Sequence, residues 1–462
     1  MKILFFYPPD DGNSLFKNNN SFLFAPPLGI LYLSKILEDQ GHTVKVIDLR
    51  SENIRKKHLK FHVLTSDIIG ISIPSFSINN SIELCSMIRE IDANIPIIVG
   101  GPHCSLYPKE LLQKIDADIC VIGEGEKPIK KIVESIEKKV RPDLPGIYYK
   151  ISADEISGKR GFNLVEDLDT LPYPARHLVK KYDYGYLFGY KFFKGKCTAI
   201  ITSRGCPYKC RFCSRNIPGM KNYRTRSAKD VFEELCEIYN KGYKSVIIVD
   251  DNFLANKKRS NKILNLLIKE KMSLDIFVQG ARVDSANKEI YQKMKNAGVK
   301  AIAFGIESGS QSILNFYNKH TTLNQINYAV NLSKQSGFFT IGNFIMGAPV
   351  ENEQNIVQTI NFARSLPLDF ALFSILEYTA GSQLWSEAVS EGKIDKEEYR
   401  VISDSFRGLG NFSLKELEKW QKKAYIRFYL NHNYLKNQLQ SMLKKRDFSI
   451  IKGGFKLFLK LN

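Results

Sequence analysis

Two successive blocks of this chain alternate short β-type runs with amphipathic helical stretches. In the first block the runs are Lys2–Tyr7, Thr43–Asp48, Asp67–Ile73, Pro96–Gly100 and Asp118–Ile122, separated by helical patterns such as Leu28–Gln40 and Ile78–Ile91. Strands alternating with helices predict an α/β fold with a doubly wound parallel sheet. Most runs end in small or polar turns, among them Pro8-Pro9, Ser72-Ile73-Pro74-Ser75, Gly100-Gly101-Pro102-His103 and Gly123-Glu124-Gly125-Glu126. In such sheets the ligand crevice lies outside the carboxyl ends of the strands, where these turns gather. The second block has runs at Thr198–Ser203, Ser245–Asp250, Asp275–Gly280, Ala301–Ile306, Thr340–Met346 and Phe370–Leu376, with helical stretches such as Ala228–Lys241 and Leu323–Ser336 between them. Six consecutive β/α units predict a partial TIM-type (β/α)6 barrel whose reactive groups sit on the loops after the strands.

Length agrees with this division, because 462 residues exceed what one core organises. The expected domains are residues 1–141, a connector at 142–195 with no clear period, the barrel at 196–385, and a mainly helical region at 386–462. The apolar start Met1–Tyr7 is too short for a secretory signal and is stopped by Pro8 and Pro9. No run of about 18 uncharged apolar residues is available to span a bilayer. A cytoplasmic location is expected, where thiols stay reduced and clustered cysteines point to metal rather than disulfides.

Eight cysteines are present, and three of them fall in Arg204-Gly205-Cys206-Pro207-Tyr208-Lys209-Cys210-Arg211-Phe212-Cys213, directly after the first run of the second block. A short loop of this C-x3-C-x2-C spacing can wrap three thiolates around three irons of a cubane, leaving the fourth iron open. Thiolates suit iron–sulfur and zinc sites alike. Zinc normally takes a fourth protein ligand, and the nearest histidine, His177, lies well before the triad in the connector.

Placed after a barrel strand, this motif resembles the defining motif of the radical S-adenosylmethionine (SAM) superfamily. The resemblance implies a [4Fe–4S] cluster on Cys206, Cys210 and Cys213 whose open iron chelates the amino and carboxylate groups of SAM. One-electron reduction then cleaves SAM to methionine and a 5′-deoxyadenosyl radical, which requires an external reductant of the flavodoxin or ferredoxin type. Residue by residue, Phe212 matches the family position near the adenine, and Asp250, Asp251 and Asn252 match the segment that binds the SAM ammonium. Arg282 matches a position facing the SAM carboxylate, Glu307 one contacting methionine or ribose, and Gly347 the approach of backbone to adenine.

The order of a flavodoxin-like domain and then such a barrel is similar to the cobalamin-binding radical SAM group, which includes methylases of unactivated carbons and an oxidative cyclase. Pro26-Pro27-Leu28-Gly29, the two glycine-containing turns and Asp167…Leu171-Pro172-Tyr173-Pro174 carry this resemblance. The positions it implies for cobalamin are Pro8, Ser72, Ser75, Gly100, Gly101, His103, Gly123, Glu124 and Glu126. Tyr7–Gly12 lacks the histidine that binds cobalt in methionine-synthase-like domains, so cobalamin is expected base-off, without a protein histidine on cobalt. The implied activity is methyl transfer from cobalamin to a substrate radical on an unactivated carbon. Alternatives are a radical cyclisation or C–C coupling without methyl transfer and, more distantly, a non-catalytic iron–sulfur protein. Spacing singles out no residue that contacts the substrate.

The net charge of +19 is unevenly spread. From Val401 to Asn462 there are 13 Lys and Arg against 4 Asp and Glu, interleaved with Trp420, Tyr425, Phe428, Tyr429 and Tyr434 at roughly helical spacing. Two readings stand: helices packing on the barrel with a solvated basic face, or, for residues 443–462, a helix lying on an anionic membrane surface. The second would place the enzyme peripherally at the inner face of the membrane and favour a lipid or tetrapyrrole-like substrate. No dedicated RNA-binding segment is evident, and no nucleic-acid partner is expected.

Overall fold

The computed structural model describes residues 1–13, 15, 24–52, 54–152, 155–187, 190–191, 195–216, 222–432, 434–436 and 438. The chain divides into two compact units, Met1–Tyr186 and Leu187–Asn462. No helix among the described residues is long and apolar enough to cross a membrane.

In the first unit, strands β1 (Lys2–Tyr7), β2 (Thr43–Asp48), β3 (Ile68–Ser72), β4 (Ile97–Gly100) and β5 (Ile119–Val121) pair in the order β2-β1-β3-β4-β5, all parallel. This is the flavodoxin-like order, with its topological switch between β1 and β3. Helices on both faces explain why Ile3, Leu4, Phe5 and Phe6 form an unbroken buried run instead of alternating. Two further strands, β6 (Ile147–Lys150) and β7 (Ile156–Lys159), extend the sheet antiparallel beyond β5. Residues expected to begin the connector thus belong to the sheet, and the first unit runs to Tyr186 rather than to residue 141. Within the same unit the stretch around Tyr184 straps onto β2: the Tyr184 hydroxyl donates to Asp48 at 3.0 Å, and Asp48 also pairs with Arg50 at 2.7 Å.

The second unit is a parallel sheet of six strands in sequence order: Cys197–Ile200, Ser245–Ile248, Asp275–Ala281, Val299–Glu307, Phe339–Met346 and Phe370–Ile375. Helices Ala228–Asn240, Lys257–Lys269, Lys288–Asn296, Leu323–Gln335 and Glu353–Ser365 connect them, as the alternation predicts for a (β/α)6 barrel. Each of these five helices begins on a polar residue, Ser227, Asn256, Asn287, Thr322 or Asn352, whose side chain accepts from a backbone N–H three residues on. Those caps satisfy donors that helix geometry leaves orphaned and fix where each loop at the strand ends stops.

The sixth strand is an edge, and an exposed row of unpaired backbone groups is a liability. The C-terminal helix Leu414–Tyr429 covers it. The Tyr425 hydroxyl accepts from the backbone N–H of Phe373 at 3.1 Å and donates to its carbonyl at 3.2 Å. The Tyr429 hydroxyl does the same for Ala371, at 3.2 and 3.0 Å. The spacing of Trp420, Tyr425, Phe428 and Tyr429 is therefore that of a helix packed on the barrel, whereas residues 443–462 lie outside the described residues. Tyr425→Phe and Tyr429→Phe each leave buried strand-edge groups unpaired and should cost about 1–3 kcal/mol. Urea unfolding midpoints of the two variants check this.

Candidate active site

The cysteine loop leaves the first barrel strand through Thr202 and Ser203, and a buried carboxylate just past the end of the neighbouring strand Ser245–Ile248 holds it there. Asp250 accepts from the Thr202 backbone N–H at 2.6 Å and from the Thr202 and Ser203 hydroxyls, at 2.5 and 2.6 Å. Arg259 lies 3.7 Å from the same carboxylate and donates to the Thr202 carbonyl at 2.7 Å. Burial pushes the Asp250 pKa up, and Arg259 and the hydroxyls pull against it. The side chain of Asp250 is thus engaged by the cysteine loop itself, so its part in the site is to anchor that loop.

The far side of the loop is stitched to the turn after the fourth strand. The Arg211 N–H donates to the Tyr317 carbonyl at 3.0 Å, and the Asn318 amide donates to the Lys209 carbonyl at 3.0 Å. The Cys213 N–H donates to the Cys210 carbonyl at 3.1 Å, closing a tight turn between two of the thiols. Burial raises the Cys206 pKa and pushes that of Cys213 up to about 11, and Cys210 next to each raises it further. Neighbouring thiols that resist ionisation in one another's presence become ligands once a cationic centre offsets their charge. Among the described residues no three His, Cys, Asp or Glu side chains are closed around a common point. The donor set nevertheless fits a three-thiolate cluster: one loop, with no histidine in it.

Arg282, at the end of the third strand, touches this loop directly. Its guanidinium lies 3.6 Å from the Tyr208 ring centre and 4.0 Å from the Cys210 sulfur, pairs with Asp284 at 2.8 Å, and donates to the Lys319 carbonyl at 2.6 Å. Gly280, just before it, sits where a Cβ would be 2.1 Å from the Asp250 carbonyl and 2.8 Å from that of Asp251. Only glycine lets the third strand come so close to the carbonyls expected near the SAM ammonium. Asp251 pairs with Arg215 at 3.3 Å. Asn252 is fully buried with both amide atoms unpartnered, an orphan that a polar ligand would satisfy.

Glu307 ends the fourth strand at φ 68°, in the left-handed region that side chains disfavour. Its carboxylate is held by Lys319 at 2.7 Å, and both side chains are buried. The Lys319 ammonium also lies 5.9 Å from the Phe212 ring, which meets Tyr317 edge-on at 5.1 Å. Gly347, after the fifth strand, has its carbonyl fixed by the Ser403 hydroxyl at 2.7 Å. Cys210, Arg282, Lys319, Glu307 and Phe212 are linked by these contacts. Arg282 and Glu307 are engaged by protein groups rather than presented bare. Sequence reasoning missed Lys319, Arg259, Tyr317 and Glu351, which lie outside any spacing motif.

In the first unit the expected residues separate into two groups. Ser72 and Gly100 are register partners at the ends of β3 and β4. Gly101 follows at φ 109°, where a Cβ would meet the Ile73 backbone at 3.0 Å and the Ser72 hydroxyl at 3.2 Å. Beside it Ser75 lies 3.3 Å from Nδ1 of the buried His103. Pro8 is buried at the end of β1. Glu124, by contrast, accepts from the Val165 N–H at 2.6 Å and Gly123 donates to Ser105 at 2.9 Å, so both serve internal packing; Glu126 is buried. Glycine turns with neutral hydroxyl and imidazole groups at these strand ends fit the amide-rich periphery and nucleotide tail of a corrinoid.

Burial pushes the His103 pKa down to about 4. An unfolded histidine titrates near pH 6.5, so on acidification the unfolded state takes up the proton first. The stability His103 contributes is complete above about pH 6.5 and falls as pH drops toward 4, by about 2 kcal/mol at pH 5. His103→Asn should flatten the change in urea midpoint between pH 7 and pH 5.

A thiol triad at the head of a parallel (β/α)6 barrel is the mark of radical SAM enzymes. Comparison with known proteins agrees: residues 200–363 match the radical SAM superfamily and residues 19–133 the B12 binding domain. An uncharacterized methyltransferase of Pyrococcus horikoshii is 32% identical over 449 residues, covering 94% of this chain and 94% of its own. The anaerobic magnesium-protoporphyrin IX monomethyl ester cyclase of Rubrivivax gelatinosus is 25% identical, covering 100% of this chain and 82% of its own. The cobalamin-dependent SAM radical enzyme OxsB, solved with aqua-cobalamin and SAM bound, shares the fold at a TM-score of 0.71 and 19% identity, over 97% of this chain and 72% of that one. The chain belongs to the cobalamin-binding radical SAM enzymes. Its cofactors are SAM, a [4Fe–4S] cluster and cobalamin, and it needs a one-electron reductant.

Proposed function

We propose that this enzyme transfers a methyl group to an unactivated carbon of a hydrophobic small molecule, a lipid or a tetrapyrrole-like compound. The observation that carries the reading is the union of a B12 binding domain and a radical SAM barrel in one chain, alongside a methyltransferase similar over nearly its whole length. When bound, the cofactors supply a carbon-centred radical and a transferable methyl group, chemistry that no side chain provides. The residues contribute position and exclusion of water. Cys206, Cys210 and Cys213 hold the cluster, and Asp250 with Arg259 fixes their loop. Asp251, Asn252, Arg282 and Gly347 border the space for SAM, with Phe212 against the adenine. In the first unit Ser72, Ser75, Gly100, Gly101 and His103 bind cobalamin base-off, with His103 bonding its periphery and not its cobalt.

The similarity to an ester cyclase over the full chain supports a second reading, radical cyclisation without net methyl transfer. SAM bearing a deuterated methyl group separates the two. A methylase yields product carrying the label, and S-adenosylhomocysteine beside 5′-deoxyadenosine; unlabelled product with 5′-deoxyadenosine alone supports the cyclase. The lipid preference rests on the basic, apolar residues 443–462, which would bring the enzyme to an anionic bilayer. Equal sedimentation with anionic liposomes of the full chain and of a chain ending at Asp447 would remove that preference.

A further inference from the structure

The helix Lys56–Leu64, between β2 and β3 of the first unit, carries apolar side chains on both of its faces. Leu59 and Val63 are fully buried in the core of that unit. Phe61 lies about 200° round the helix from each of them, so it points straight away from that core. It is 63% exposed, and Leu64 is 57% exposed. Lys57 and Lys60 share the outward face: Lys57 is one turn from Phe61 and Lys60 one turn from Leu64, so the four side chains form a single patch. Arg55, Lys56 and His58 are exposed next to it. From Arg55 to Ser66 the chain carries four Lys and Arg and no Asp or Glu. The flanking carboxylates are committed elsewhere: Glu52 bonds to Lys181 and Tyr182, and Asp67 accepts from the Lys2 backbone N–H at 2.6 Å.

A shallow depression of about 140 Å³ adjoins the helix, lined by Lys2, Thr43, Lys45, Phe61, His62 and Thr65 among others. Two lysines and two threonines around an open hollow suit a phosphate, which lysine recognises as a point charge. Apolar side chains held out among lysines, next to such a hollow, match the surface of an anionic bilayer: the acyl boundary receives the first and the headgroups the second. We propose that this face of the helix Lys56–Leu64 docks on an anionic lipid surface, with Phe61 and Leu64 entering the headgroup layer and Lys2, Lys45, Lys57 and Lys60 pairing with lipid phosphates. A second copy of the chain would set these cations against themselves, which costs binding. A phosphate polymer would engage the lysines and leave Phe61 and Leu64 in water. Lipid uses both. This surface belongs to the first unit, and its role depends neither on the substrate nor on residues 443–462.

The full chain carrying Phe61→Trp, with the wild-type emission of Trp385 and Trp420 subtracted, reports on this site alone. Vesicles of phosphatidylglycerol and phosphatidylcholine should shift the introduced indole's emission to the blue, and brominated acyl chains should quench it. Phosphatidylcholine alone should do neither, and high salt should reverse both effects. Lys57→Glu combined with Lys60→Glu should weaken vesicle affinity about tenfold or more. Its urea midpoint should stay at the wild-type value, because both side chains are exposed. An indole that anionic vesicles leave unshifted and unquenched overturns the proposal, even where the chain sediments with them, since it then binds through another surface. Equal quenching by neutral vesicles also overturns it, as does full affinity in the charge-reversed variant.

Discussion

Cys206→Ala, Cys210→Ala and Cys213→Ala chains, reconstituted anaerobically with iron and sulfide, should each emerge with little cluster, against about four irons per wild-type chain. The argument is local. All three thiols lie on one short loop, and the thiols on either side of Cys210 are each made harder to ionise by it. Removing any one leaves two ligands for a cubane that needs three. Cys206 and Cys213 are only partly buried, so their loss should scarcely disturb the fold. Cys85→Ala, in the core of the first unit, is the control: it should cost stability and leave iron untouched. Full iron and visible absorption in all three loop variants would reject the assignment.

Asp250→Ala should destabilise the protein itself by about 3–5 kcal/mol, even before any cofactor is added. The carboxylate is fully buried, carries the Thr202 and Ser203 hydroxyls and one backbone N–H, and is the counter-charge to a buried Arg259. Truncation strands that guanidinium and frees the start of the cysteine loop, so cluster retention should fall as well. Asp250→Asn keeps part of the hydrogen bonding and loses the charge, and should fall between. Were Asp250 chiefly a contact to SAM, the cofactor-free urea midpoint of Asp250→Ala would match wild type; a match would refute the anchoring role.

That contrast shows where sequence was sufficient. The ends of the strands and the cysteine spacing are local signals, and Phe212, Asp250, Arg282 and Glu307 do gather around one barrel mouth. Which way each charged group is committed is a tertiary matter. Lys319 carries no periodic or motif signal. It turns inward because Asn318 and His320 on either side adopt left-handed backbone, and it is tolerated there because Glu307 lies within 2.7 Å. Thr202 and Ser203, just ahead of the motif, were the legible hint that an acceptor waited nearby. The hairpin at Ile147–Lys159 was illegible for another reason. It is an edge, half-exposed, so its residues carry neither the apolar run of β1 nor a regular alternation. Glu124 follows a strand end as a ligand would, yet the chain 41 residues on claims it through the Val165 N–H.

The tyrosine-sealed edge has a consequence for synthesis. A ribosome completes the sixth strand at Ile375 well before Tyr425 and Tyr429 exist. Through that interval the nascent barrel carries a bare parallel edge with free N–H and C=O groups at Ala371 and Phe373, open to pairing with a neighbouring chain. Folding is therefore unsafe until the helix Leu414–Tyr429 has cleared the exit tunnel, and slow translation between residues 376 and 429 should favour aggregation. Chains released early in that stretch would be substrates for chaperones and proteases rather than truncated enzymes.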